Sequence, residues 1–176
     1  MGVQNLKVKL LENTPFLKED GTFDLKRAML FSGHVAGICY NQDGLDASFN
    51  ENEAKTERRV AMNANDGHQS VFEHVNLTLD IQNSPKMFNM VLNNEGQYNA
   101  SERSLRYTRP SEQAGLSARE IELYDKWYHI FLDLIEQNVG NTIPDRKKRT
   151  LAQENARSMT SVFYQTEIVI RFHLHK

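Results

Sequence analysis

Two periodicities divide the chain. From Val75 to Ile81 the positions alternate strictly, with Val75, Leu77, Leu79 and Ile81 apolar and Asn76, Thr78 and Asp80 polar. A period of two sends successive side chains to opposite faces, so this run predicts a half-buried strand. Val3 to Leu11 alternates more loosely, with Val8 and Leu10 against Lys7 and Lys9, and predicts a first strand. Val162 to Ile170 is rich in β-branched and aromatic residues and predicts a last one.

Elsewhere apolar positions recur every three or four residues, the spacing of a helix face. Leu25, Ala28, Met29, Phe31 and Val35 follow Asp24 as N-cap and run to about Tyr40, where Asn41-Gln42-Asp43-Gly44 ends the helix. Asn50 with Glu53 has the pattern of a capping box and opens a second helix, through Val60 to about Ala64, broken by Asn65-Asp66-Gly67. Ser84-Pro85 starts a short helix with Pro85 at its first position, carrying Met87, Phe88, Val91 and Leu92 as far as Asn93-Asn94-Glu95-Gly96. A further capping box, Ser117 with Glu120, opens the longest helix, which ends at Gly140. Its apolar stripe runs from Ile121 through Trp127 and Phe131 to Ile135. Pro144 and Asp145 begin a last helix that reaches Ala156. These elements predict an α+β fold, a single domain over residues 1–176. Its mixed or antiparallel sheet is flanked by helices, with the long helices in the second half.

Composition narrows the function classes. A chain of 176 residues, 39% hydrophobic and 25% charged, can bury a core without disulfides or metals. A net charge of −2 gives no bulk attraction to nucleic acid or to a membrane surface, so neither partner is expected. No run is long and apolar enough to span a bilayer, and the N-terminus lacks a signal-peptide core. Met1-Gly2 opens like an acylation signal, but Leu6 stands where a hydroxyl is needed. The expected location is the cytoplasm. Cys39, the single cysteine, lies in the apolar run Val35–Tyr40 and reads as a buried, inert thiol.

The candidate chemistry concentrates in Ser101-Glu102-Arg103-Ser104-Leu105-Arg106-Tyr107, followed by Arg109-Pro110. Arginine captures phosphate bidentately, serine adds neutral donors, and a carboxylate can accept from a base or orient an arginine. The bland reading is a solvated turn with Glu102 and Arg106 paired at i,i+4 on a helix. The lack of apolar filler favours a site for a small anion. The Arg146-Lys147-Lys148-Arg149 run reads as a solvated helix face, with anion attraction as a second reading, because cations at a helix N-terminus oppose its dipole. A zinc site from His68, Glu73 and His74, or from the tail residues His173 and His175, fits none of the common ligand spacings, and no metal is expected.

Two of these segments, in this order, resemble one family. Gly67-His68, Ser70 and Phe72-Glu73-His74 before the alternating strand resemble the GHxSxFEH block of flavin-dependent thymidylate synthases. Glu102, Ser104, Arg106 and Tyr107 look like the end of that family's signature, RHRxxSxNExSxRY. Ala152-Gln153 and Ala156-Arg157, then Glu167-Ile168-Val169-Ile170, look like its late helix and strand. The resemblance implies an enzyme that makes dTMP from dUMP, with FAD as cofactor, NADPH as reductant and methylenetetrahydrofolate as one-carbon donor. It implies a homotetramer, in which Arg157 reaches dUMP from a neighbouring subunit. Matched position by position, Glu102, Ser104, Leu105, Arg106 and Arg157 would bind dUMP. His68, Ser70 and Glu102 would lie against FAD. No side chain is assigned as a catalytic nucleophile, since the hydride comes from the flavin.

The sequence also departs from the pattern. The signature's RHR falls on Asn94-Glu95-Gly96, its first Ser on Asn99 and its Asn on Ser101. Family members continue into an Asn-rich, Arg-bearing segment, and this chain stops at Lys176, so it is expected to be C-terminally incomplete. The alternative reading is a catalytically inactive nucleotide-binding or assembly homologue of the same fold.

Overall fold

The computed structural model describes residues 4–11, 14–96 and 99–174, with Gln113 described by its backbone only. The predicted strand start at Val3, the Met1-Gly2 segment and the tail residue His175 lie outside these. Four strands form an antiparallel sheet in the order β1-β2-β4-β3. They are β1 (Lys7–Leu10), β2 (Asn76–Pro85), β3 (Asn99–Glu102) and β4 (Gln165–His173). The helices are α1 (Leu25–Gly37), α2 (Gly44–Phe49), α3 (Glu53–Asn65), α4 (Lys86–Glu95), α5 (Ala118–Val139) and α6 (Asp145–Ala156). The architecture is the predicted α+β one, with its longest helix in the second half.

The chain forms two compact units. One comprises Lys9–Asp80, Gln97–Asn99 and Ile170–Lys176, and so holds α1, α2 and α3. Here α1 lies close against its neighbours because it carries glycines at the contacts. A Cβ on Gly33 would stand 2.6 Å from Val60 Cγ2, and one on Gly37 would stand 1.8 Å from Ser48 Oγ. Arg59 of α3 is buried, donating to Gly33 O at 2.9 Å and to Glu51 Oε2 at 2.6 Å. A buried arginine is tolerable only when paired in this way.

The other unit comprises Met1–Val8, Ile81–Gly96 and Ala100–Val169. Its core is Tyr124 and Tyr128 of α5 against Ala152 and Ala156 of α6, with Trp127 and Phe131 packed beside them. The small alanines let the two helices approach so that the tyrosine rings fill the space. A second cluster joins Leu105, Leu116 and Tyr164. It is this cluster that fixes the segment carrying the candidate site.

Several sequence expectations are corrected. Helix α2 was not predicted, and Asn50 is its C-cap, donating through Nδ2 to Asp46 O at 3.0 Å. The cap of α3 is therefore Asn52, whose side chain accepts from Ala54 N at 2.9 Å. Pro85 is the last residue of β2 rather than the first of α4, and α4 runs on through Asn93 and Asn94 to Glu95. The alternating run is buried on its polar side too. Thr78 and Asp80 are both 8% exposed, because β2 is an inner strand of the sheet. Cys39 is exposed, since α1 ends at Gly37 and leaves it on the following turn. Lys148 is not part of a solvated face; it is buried with Nζ 2.7 Å from Glu136 Oε2 and 3.0 Å from Asp145 Oδ1. Its neighbours Arg146, Lys147 and Arg149 are exposed as expected.

Candidate functional site

Three pieces of one unit build the candidate site. The first is the β2–α4 junction. Pro85 cannot donate a backbone hydrogen bond, so the ladder stops there and the helix begins at Lys86. The helix start is held by Lys86 N donating to Tyr164 O at 2.9 Å and Met87 N to Val162 O at 2.8 Å. Lys86 thereby lines a cavity, and Asn89, one turn further on, is fully buried.

The second piece is the segment after β3. Glu102 ends the strand and Arg103 N donates to Glu167 O at 3.0 Å. The chain then turns tightly. Ser104 O accepts from Tyr107 N at 3.1 Å and Thr108 N at 3.0 Å, and Ser104 Oγ accepts from Arg106 N at 3.3 Å. Leu105 is buried against Leu116 and Tyr164. One apolar anchor thus holds the turn, and the polar residues on either side of it face the cavity. The helical turn pairing Glu102 with Arg106 does not exist, because Glu102 is in a strand. Glu102 Oε2 instead lies 2.5 Å from Lys86 Nζ, and its Oε1 accepts from Asn89 Nδ2 at 3.0 Å.

The third piece is the end of α6. Glu154 and Arg157 face the same cavity, and Arg157 Nε donates to Glu154 O at 3.2 Å. Glu154 Oε1 lies 3.7 Å from Arg106 Nη1. Arg157 itself makes no ion pair among the described residues.

The cavity, half open to solvent, has a volume of about 380 Å³, enough for a nucleotide-sized ligand. Lys86, Arg103, Arg106 and Arg157 face only two carboxylates, Glu102 and Glu154. Arg103 is also paired with Glu167. The excess of positive charge suits an anion. Tyr164 closes the wall, and burial, with Glu102 nearby, pushes its hydroxyl up to about 12, opposed by Arg157. The phenol is therefore neutral at physiological pH and can donate a hydrogen bond, but it is no base.

Glu102, Ser104, Leu105, Arg106 and Arg157, all singled out in the sequence, meet in this cavity of a single chain. His68 and Ser70 do not line it; they belong to the other unit. There Gly67, at φ +75°, turns the chain into a 3-10 turn over Gln69–His74, and both side chains are exposed. Sequence reasoning missed Lys86, Glu154 and Tyr164. Only Lys86 carried a signal, being a cation in the first turn of a helix, where the dipole disfavours it. Among the described residues no group of three His, Cys, Asp or Glu side chains is placed to hold a metal ion. His173 Nδ1 is 2.8 Å from Glu73 O. Among the described residues no helix is long and apolar enough to cross a membrane.

The family profile of thymidylate synthase complementing protein matches residues 30–176. Among solved structures, a UMP/dUMP methylase, PolB, from Streptomyces cacaoi, bound with 5-Br dUMP, is similar at 14% identity with a TM-score of 0.59. That match covers 96% of this chain and 73% of the other. Thymidylate synthase X from Helicobacter pylori with FAD and dUMP is similar at 12% identity with a TM-score of 0.55, covering 97% of this chain and 79% of the other. These identities speak for the fold alone. No curated protein sequence matches. The match over residues 30–176 shows that the chain belongs to the thymidylate synthase complementing protein family, the flavin-dependent thymidylate synthases.

Proposed function

We propose that this chain binds dUMP in the cavity of Ser104, Arg106 and Arg157 and converts it to dTMP by reductive methylation. The observation that carries the reading is that Arg157, from the end of α6, meets the contiguous Glu102–Arg106 segment in one cationic cavity. Arg106 and Arg157 are proposed as the phosphate clamp, with Ser104 adding a hydroxyl and Leu105 holding the turn. Glu102, anchored by Asn89, is proposed to face the base. Family membership favours this enzyme over an inactive nucleotide-binding homologue.

FAD is the proposed cofactor, with NADPH as reductant and methylenetetrahydrofolate as one-carbon donor. Bound, FAD supplies hydride-transfer chemistry. The exposed His68 and Ser70 offer an imidazole and a hydroxyl suited to the polar edge of a flavin ring, and Glu102 is a further proposed contact. The end of α4, where Asn94, Glu95 and Gly96 are exposed, brings no cation to a pyrophosphate. Self-association as a homotetramer is also proposed. It would cover exposed apolar residues such as Met87, Met90 and Val91 of α4, and Phe163. The proposed location is the cytoplasm, and neither nucleic acid nor membrane is a proposed partner.

The test is direct. Purified protein with added FAD is assayed for dTMP formation from dUMP, methylenetetrahydrofolate and NADPH, with NADPH oxidation followed in parallel. Formation of dTMP that depends on all four supports the proposal. Bound dUMP without any turnover would overturn the enzymatic reading and leave the binding one.

A further inference from the structure

We propose that Lys86 is a phosphate-binding residue of this cavity, held by Glu102 until an entering phosphate monoester takes it over. The inference rests on the nucleotide reading above and extends it to a residue outside the sequence motifs.

Three observations carry it. Lys86 stands in the first turn of α4, which contains no acidic residue. A cation there opposes the helix dipole, so helix stability does not account for it. Its ammonium nevertheless has a definite place, lining the cavity 2.5 Å from Glu102 Oε2, with its side chain 23% exposed. Finally, Glu102 does not depend on Lys86 for its position, because Asn89 Nδ2 donates to the other carboxylate oxygen at 3.0 Å and Asn89 is fully buried.

This arrangement is an exchangeable pair. An ammonium is a compact point charge with three donors, so it can turn from a carboxylate to a phosphate without the planar matching an arginine requires. A phosphate dianion attracts it more strongly than a single carboxylate charge does. Once it moves, Glu102 remains on Asn89 with Oε2 free to accept from an N–H donor of the ligand. The same cation thus neutralises Glu102 in the empty cavity and the phosphate in the filled one.

The competing explanation is that Lys86 only neutralises Glu102. The two are separated by affinities for dUMP and for deoxyuridine, which lacks the phosphate, measured by ligand-observed NMR on the full chain. The ratio of the two affinities isolates the phosphate. In Lys86→Met it should fall by about 10- to 100-fold, the worth of one charge-assisted hydrogen bond. In the double variant Lys86→Met/Glu102→Gln it should stay low, and in Lys86→Arg it should largely recover. A wild-type ratio in Lys86→Met, or recovery in the double variant, would overturn the proposal. If the wild-type chain ignores dUMP, the nucleotide reading fails by itself. Inorganic phosphate then replaces it as probe, and equal phosphate binding by wild type and Lys86→Met would sink the Lys86 assignment.

Discussion

Arg106 Nη1 lies 3.7 Å from Glu154 Oε1, so the candidate phosphate ligand already has a carboxylate beside it. Both side chains are well exposed, at 45% and 38%, and such a pair contributes little to stability, about 0–1 kcal/mol. Its effect on an incoming anion is larger, because Glu154 both occupies Arg106 and repels the ligand. Glu154→Gln should leave the melting temperature nearly unchanged and tighten dUMP binding by about 3- to 10-fold at low salt, less at high salt. Calorimetric titration at two ionic strengths checks this. Weaker binding in the variant would show that Glu154 contacts the ligand favourably.

Arg106→Ala tests the clamp itself. The guanidinium is half-exposed, and its other contact is the Tyr107 ring, 5.6 Å from Cζ to the centroid. Loss of the side chain should not unfold the turn, which hangs on buried Leu105 and on the Ser104 carbonyl. We expect dUMP affinity to fall by about 2 kcal/mol, the range of a hydrogen bond to a charged group, with far-UV circular dichroism unchanged. Unaltered affinity would remove Arg106 from the site.

Much of this was legible from local signals. The Ser117–Glu120 capping box is present in both halves, and the Ser104–Arg106 segment forms a turn that lines a cavity. Local signals misled where two elements compete for one residue. Asn50 carries an N-cap residue type, yet it ends the unpredicted α2, and Asn52 takes the cap. Pro85 fits a helix start as well as a strand end, and the sheet takes it. The site residues that escaped notice, Lys86, Glu154 and Tyr164, are placed by long-range pairing: Lys86 N with Tyr164 O, and Arg106 with Glu154. No window of a few residues contains that information. Arg157 is a different case. Its position was matched by resemblance, and the structure brings it to the cavity within one chain.

Gly37 and Gly44 should respond differently to alanine. A Cβ on Gly37 would meet Ser48 Oγ at 1.8 Å and Arg59 Nη1 at 2.7 Å. Neither neighbour can simply yield, because Ser48 Oγ donates to His34 O at 2.6 Å and Arg59 is a buried, paired cation. Gly37→Ala should cost about 3 kcal/mol or more, the upper range for overpacking. Gly44 has open space around its Cβ position but sits at φ +84°. Gly44→Ala should cost only about 1–2 kcal/mol, the left-handed conformation alone. Urea unfolding of the two variants measures both, and equal losses would contradict the close approach at Gly37.

The capping box of α5 should make stability depend on acid. The Glu120 carboxylate accepts through Oε2 from Ser117 N at 2.9 Å and Ser117 Oγ at 2.7 Å, and through Oε1 from Ser161 N at 3.1 Å. These bonds, Ser117's foremost, hold its pKa down from 4.5 to about 2. A carboxylate depressed in the folded state stabilises it fully above its unfolded pKa and loses that contribution as pH falls towards the folded one. Glu120 therefore contributes at neutral pH, and its contribution fades between about pH 5 and pH 2. Glu120→Gln keeps one acceptor oxygen and removes the charge. At pH 7 it should be less stable than wild type by about 1 kcal/mol, as for loss of a cap. Other depressed carboxylates, such as Asp145, titrate equally in both proteins and cancel in the difference. Urea unfolding at pH 7, 5 and 3 gives the gap directly. It should be nearly the same at pH 7 and pH 5 and shrink by pH 3, and a gap that stayed constant to pH 3 would show that the charge on Glu120 contributes nothing.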